Sequence, residues 1–422
     1  MFKSLIRKKL ERYTKKYLAK NTDIKLVAVS GSVGKTSTKM AISTVLAEKF
    51  RVRVHEGNYN SEMSVPTAIL GIDYPDNIRS LGQWMKVFRQ ARRRVKQPAE
   101  VDVIVQELGT DRVGQLPAFE NYLKPDIGVV TAVSAEHMEH FKDLDSVAKE
   151  ELSLTQFSEQ SIINRENIDK KFAKYANKSN LSTYGTSEAA DYRYESSGYV
   201  IGKGHRGIFV GPEWDKPTSA KLHTVGEHST LFASAAVAVA AKLGMNQPEI
   251  ATGVNKIQAV PGRMNILKGR KGSIIIDDTY NSSPLAATAA IRTLYELQAP
   301  QKIAVLGSMN ELGDMSASAH KELGELCIPE ELAWVVVVGQ EAAEHLAPAA
   351  EAQGCKVQIC KNAVEAGSFV SSVMHSGAVL LFKGSEGGIF LEEAVKQVLH
   401  STDDERKLVR QTPEWLAKKQ QA

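Results

Sequence analysis

Cysteine is nearly absent. The chain has three, Cys327, Cys355 and Cys360, in 422 residues; none are paired at metal-ligand spacing, so neither a disulfide framework nor a cysteine zinc site is expected. That scarcity fits a reducing, cytoplasmic setting. Long apolar runs are missing too: none approaches the roughly 18 residues of a membrane helix, and charges interrupt the N-terminus where a secretory signal needs a continuous apolar region. Neither export by that route nor membrane spanning is expected. No GxGxxG fingerprint accompanies the strand-like runs of the second half, so a nicotinamide or flavin cofactor is not favoured.

What is present is an ordinary globular composition, 43% apolar and 24% charged, long enough for two or three domains. The net charge of +4 conceals an asymmetry. Residues 1–23 carry eight Lys/Arg against two acids and residues 81–97 carry six against none, which leaves 39 basic against 47 acidic elsewhere. Basicity this local argues against a general nucleic-acid surface. Phe2, Leu5, Ile6, Leu10, Tyr13, Tyr17 and Leu18 fall at helical spacing among the lysines, and Leu81, Trp84, Met85, Phe88 and Val95 repeat the design. Two readings stay open: a peripheral contact of residues 1–20 and 81–97 with an anionic membrane face or lipid-linked substrate, or apolar stripes packed on the protein with solvated cations outside.

The most informative stretch is Val27–Lys39, VAVSGSVGKTSTK. Ile24–Val29 reads as a buried strand and Thr36–Lys49 as a helix, with the glycine loop between them. Such a loop presents backbone N–H groups to a polyphosphate, with Lys35 near the β and γ phosphates and the Thr36 hydroxyl on Mg²⁺. Gly31, Ser32, Gly34 and Ser37 complete the candidate nucleotide cradle. Position 29 is Val, so the match is the shorter GxxGK[ST] form, and an ordinary Gly-rich turn is the competing reading.

Further along, apolar runs end in polar tips, where open α/β sheets bind ligands. Val101–Val105 runs into Glu107, a candidate Mg²⁺ ligand. Ile127–Val133 runs into His137, a candidate for a second metal. A helix is expected over Asp145–Phe157, a strand at 161–164, β-like runs over 192–226 and an alanine-rich helix at 229–243. Pro261-Gly262 marks a boundary. Beyond it, strands at 273–276, 302–306, 334–338, 356–359 and 378–382 predict a Rossmann-like open sheet. The fold class is therefore α/β, with a basic helix over 1–23, a P-loop ATPase domain with a parallel sheet over 24–260, and a C-terminal domain over 261–422.

GSVGKTSTK (31–39), GNYNSEMSVP (57–66), VIVQELG (103–109), EHMEHF (136–141), PGRMNIL (261–267), IIDDTYNSSP (275–284), VLGSMNELGD (305–314) and FKGS (382–385) together resemble the Mur ligase family, most closely its MurF branch. The resemblance implies an ATP-dependent carboxylate–amine ligase of peptidoglycan precursor assembly: ATP phosphorylates a carboxylate, an amine attacks the acyl phosphate, and an amide, ADP and phosphate result. It implies Lys35 and Thr36 on phosphate, Thr36 with Glu107 on one Mg²⁺ and His137 on a second. Arg263, Asp278 and Asn281 become nucleotide contacts, and Asn58, Asn60, Lys383 and Ser385 substrate contacts. Ungapped alignment puts Glu151 where the family bears a carbamylated lysine, with Lys149 the alternative after a two-residue shift. Only the basic helix over 1–23 precedes the P-loop strand in these residues, where the resemblance would lead one to expect a UDP-sugar-binding domain; an expected asparagine is Phe232, and the arginine after KGS is Glu386. A lipid-linked or polyglutamyl acceptor is the alternative within the fold; a peripheral P-loop ATPase without ligation is the alternative outside it.

Overall fold

The computed structural model describes residues 2–200 and 202–419. Met1 and residues 420–422, the outer ends of the first and last expected units, lie outside the described residues, as does Ile201. In the first unit the strands are β1 Lys25–Ser30, β2 Val52–Val54, β3 Val103–Glu107, β4 Ile127–Val130, β5 Gln160–Asn164, β6 Leu181–Gly185, β7 Tyr192–Val200, β8 Gly204–Val210 and β9 Thr218–Leu222. They form a nine-stranded sheet in the order β2-β3-β1-β4-β5-β6-β7-β8-β9. It is parallel from β2 to β7 and finishes as an antiparallel β7-β8-β9 meander.

Central strands of such a sheet are covered on both faces, so they read as continuous apolar runs rather than alternating ones. Val27 and Val29 face a core that includes Ile42 and Val45 from one face, while Leu26 and Ala28 join Tyr17, Ile69 and Leu152 on the other. Because β1 lies between β3 and β4, the chain reverses its winding there, and a crevice opens at the strands' carboxyl ends.

The second sheet contains β10 Asn265–Lys268, β11 Ile274–Asp278, β12 Lys302–Gly307, β13 Trp334–Val338, β14 Val357–Cys360 and β15 Val379–Lys383. Its order is β10-β11-β15-β12-β13-β14, parallel except for β10. It too is packed on both faces, which makes it the expected open α/β sheet.

Several boundaries differ from the sequence reading for local reasons. The strand expected to reach Val133 stops at Val130, level with the end of its neighbour β1 at Ser30, where Gly31 turns the chain into the loop; the Thr131 hydroxyl then ties down that loop, donating to the carbonyls of Val33 at 2.6 Å and Ser30 at 3.1 Å. The single helix expected over 145–157 breaks at Ser153 into Leu144–Leu152 and Leu154–Phe157; the Ser153 hydroxyl donates to the Glu150 carbonyl at 2.6 Å, a local alternative to helix continuation. β6 and β10 carry little apolar patterning and went unread. Glu107, Asp277 and Asp278 close their strands rather than follow them.

Helix α1 (Phe2–Lys20) uses its stripe on the protein: Ile6, Leu10 and Tyr17 are buried. α4 (Leu81–Lys96), which follows α2 (Lys35–Leu46) and α3 (Val65–Leu70), buries Trp84, Val87 and Ala91 beside it. Among the described residues no helix is long and apolar enough to cross a membrane. The three cysteines are free and buried.

Candidate active site

The loop after β1 is shaped by two glycines. Gly31 has φ 124°, and a Cβ there would lie 2.2 Å from the Thr131 Oγ1. Its N–H donates to the buried Glu151 carboxylate at 2.7 Å. Gly34, at φ 84°, caps α2 without any side-chain cap, so the first-turn N–H groups of α2 stay free for an anion. A Cβ on Gly34 would meet nothing within 4 Å, which leaves the loop open to the cleft. Ser32 is buried, its Oγ accepting the Ser134 N–H at 3.0 Å. Ser37 lines the cleft.

Lys35 folds back over this loop, donating to the carbonyls of Gly31 and Ser32, with Glu136 3.5 Å away. Burial lowers its pKa, but the carboxylates of Glu136, Glu151 and Glu107 outweigh that and raise it above the ordinary lysine value. It is a fixed cation. Burial of Glu151, opposed by Lys35, pushes its carboxyl up to about 7.

Strand register places the next group. Val29 pairs with Glu107 across β1 and β3, so the carboxylate stands beside the loop's point of departure. Thr36 Oγ1 donates to it at 2.8 Å, Asn60 Nδ2 at 3.0 Å, and Lys39 Nζ lies at 3.4 Å. Burial raises the pKa of Glu107, but Lys39, Lys35 and Arg263 more than compensate and hold it ionised. Asn58 is exposed at the cleft edge.

The second sheet contributes the opposite wall. Arg263 Nη2 donates to Thr36 Oγ1 at 3.1 Å, and its guanidinium lies 4.1 Å from the Tyr280 ring centre. Asp278 and Lys383 are register partners across β11 and β15, and their side chains pair at 2.9 Å. Lys383 also donates to the Asn281 carbonyl, while Ser385 Oγ donates to the Ser282 carbonyl at 3.2 Å and accepts the Asn310 N–H at 3.0 Å. Between the two walls lies a cleft of about 920 Å³.

His137 also lines this cleft, held at φ 53°. Its Nδ1 meets Glu311 of the second unit at 2.5 Å and its Nε2 lies 3.7 Å from Asp111. Lys149 is exposed and Glu151 buried on the same short helix, so the structure brings Glu151, not Lys149, to the loop. Phe232 and Glu386 both line the cleft.

Four contributors escaped the sequence reading. Lys39 lies one turn beyond Thr36 on α2, a spacing that places both on Glu107. Glu136 stands inside a recognised motif without an assigned role. Tyr280 stacks Arg263. Arg410 had no local signal: it donates to the carbonyls of Thr279 at 2.6 Å and Tyr280 at 3.0 Å, and forks onto buried Glu392 at 2.8 and 2.6 Å.

Thr36 and Glu107 supply hard oxygen donors, the kind Mg²⁺ takes. Among the described residues no three His, Cys, Asp or Glu side chains converge as a metal cage, so this donor set fits an ion completed by phosphate oxygens and water.

An anion loop, a buried cation and a carboxylate on one sheet, closed over by an arginine from the turn that leads into a second sheet, define an enzyme that uses a nucleoside triphosphate. The Mur ligase middle domain matches residues 29–240, and the Mur ligase glutamate ligase domain matches residues 262–386. The chain belongs to the Mur ligase family, and so to the ATP-dependent acid–amino-acid ligases. The UDP-N-acetylmuramoyl-tripeptide--D-alanyl-D-alanine ligase of Bacillus subtilis is 26% identical over 407 residues, 93% of this chain and 79% of that protein. MurF from Acinetobacter baumannii has the same fold, with a TM-score of 0.76 at 23% identity over 92% of this chain and 79% of that one. MurF from Thermotoga maritima, solved in complex with ADP, gives 0.74 at 23% identity over 93% and 83%. Among the curated relatives compared, the matched stretch spans 58% to 79% of the relative's length.

Proposed function

We propose that this chain joins an amine to the carboxylate of a peptidoglycan precursor, a UDP-muramoyl peptide, in the manner of MurF. The observation that carries the reading is the bond from Arg263 to Thr36 at 3.1 Å, which ties the second sheet to the phosphate loop of the first. A carboxylate oxygen of the acceptor attacks the γ phosphorus and ADP leaves. The amine nitrogen then attacks the acyl carbon, phosphate leaves, and the nitrogen's proton is lost. Phosphoryl transfer asks chiefly for positioning and charge neutralisation. Lys35 and Arg263 supply fixed positive charge, Val33 to Thr36 supply N–H donors while those of Gly31 and Ser32 hold the loop to Glu151 and Ala132, and Thr36 with Glu107 would hold Mg²⁺. When bound, that ion neutralises charge building on the phosphate oxygens. His137 and Glu151 are the further candidates for the metal environment, and Asn58, Asn60, Lys383 and Ser385 for the substrates. The two walls exclude water from a reactive acyl phosphate.

A lipid-linked acceptor is the second reading, favoured by the cationic face of α1 and α4. Incubating the protein with ATP, Mg²⁺ and a matrix of UDP-linked, lipid-linked and polyglutamyl acceptors against single amino acids and D-alanyl-D-alanine separates the cases by product mass. A new amide formed one-for-one with ADP on the UDP-linked acceptor is the expected result. ATP turnover without amide overturns ligation.

A further inference from the structure

Away from the cleft, cationic side chains concentrate on the pair α1 and α4. The two helices run side by side in the same direction: Lys9 Nζ sits 4.1 Å from the Phe88 ring centre toward their starts, and Lys20 Nζ donates to the Lys96 carbonyl at 2.9 Å at their ends. Their common inner face is spent on Ile6, Leu10, Trp84 and Val87, which pack together. The apolar stripe that could have entered a bilayer is therefore already used.

The outer face is what remains. Seven Lys/Arg of α1 and five of α4 are exposed there. The one acid within either helix, Glu11, is 3.4 Å from Arg7. A solvated helix pair needs nothing more than such a face, but this one also exposes Leu5 at 62%, Leu81 at 63% and Met85 at 64%. Because the helices are parallel and in step, all three lie toward the same end of the pair. Ile78, 48% exposed, precedes α4 beside them. Single exposed apolar residues are ordinary; a group at one end of a cationic face is the pattern of a surface that meets both headgroups and the acyl boundary. A nucleic acid would use the cations and leave the apolar end without a role.

We infer that the α1–α4 face docks on a bilayer containing anionic phospholipid, the lysines and arginines lying on headgroups and Leu5, Leu81 and Met85 inserting at the acyl boundary. This docking does not depend on which acceptor the cleft takes. The test is co-sedimentation of the full chain with phosphatidylcholine vesicles, with and without about one-third phosphatidylglycerol. The protein is expected to pellet with the anionic vesicles at low salt, to stay in solution with the neutral ones, and to be released as salt screens the attraction. Leu5→Ser/Leu81→Ser/Met85→Ser should lower the partition about tenfold with the thermal midpoint unchanged. Arg89→Gln, Arg92→Gln and Arg93→Gln should each lower it about fivefold. Equal, negligible pelleting with both vesicle types overturns the inference. So does a triple serine variant that binds anionic vesicles and an RNA oligonucleotide as well as the unaltered chain does, which would make the face a general polyanion surface.

Discussion

At the scale of single residues, the cleft depends on charges that cannot relocate. Lys35→Ala removes the cation nearest the loop and is expected to slow turnover by about 10²–10³-fold with little change in fold, checked by ADP release and circular dichroism. His228 behaves differently. Burial, with the Lys383 and His205 charges adding to it and Asp278 opposing, lowers its pKa to about 4, and its Nδ1 has no partner. Between pH 4 and 6.5 the unfolded chain thus binds the proton that the folded chain refuses, so stability falls as pH drops through that window. His228→Gln should flatten this part of the thermal midpoint against pH, and a parallel curve would count against the burial. Lys35 and Thr36 were legible because their chemistry is local to one turn of chain. Glu107 was legible as a strand-end acid, but its pairing with Lys39 needed two strands and a helix to be placed. Arg410 was not legible: its partner Thr279 is 131 positions away.

Elements transmit those placements. Gly31→Ala would force a Cβ onto Thr131 and a strained backbone, and is expected to cost about 1–3 kcal/mol for the backbone alone, with loss of nucleotide binding, measured by denaturant unfolding and calorimetric titration. Glu392 is buried between Arg410 and Lys419, the latter at 2.7 Å. Removing one partner of a buried pair typically costs about 3–5 kcal/mol, so Arg410→Ala should destabilise toward the low end, since Lys419 remains. It should also weaken ATP binding through the freed Tyr280 loop, while Lys419→Ala, which leaves that loop's carbonyls held, should spare affinity. Strands buried on both faces, such as β1 and β13, announced themselves as apolar runs. β6 and β10 did not, since an edge or half-exposed strand has no such run; nor did the break at Ser153, which a hydroxyl decides.

For the whole molecule, the question is why two sheets are needed. The cleft takes one wall from each sheet, and Arg263 on Thr36 and Glu311 on His137 join the walls at two points across it. The two sheets could be read from apolar runs in sequence and their ligand edge from the polar tips, but neither the strand order nor the approach of the walls could, because both rest on contacts between distant segments. The proposed mechanism has the acceptor's own carboxylate phosphorylated there. Its most direct test is turnover of UDP-N-acetylmuramoyl-tripeptide labelled with ¹⁸O in its reacting carboxylate, with ATP, Mg²⁺ and D-alanyl-D-alanine, followed by mass spectrometry of the released phosphate. One labelled oxygen per phosphate is the predicted result; phosphate whose new oxygen comes from water alone contradicts it.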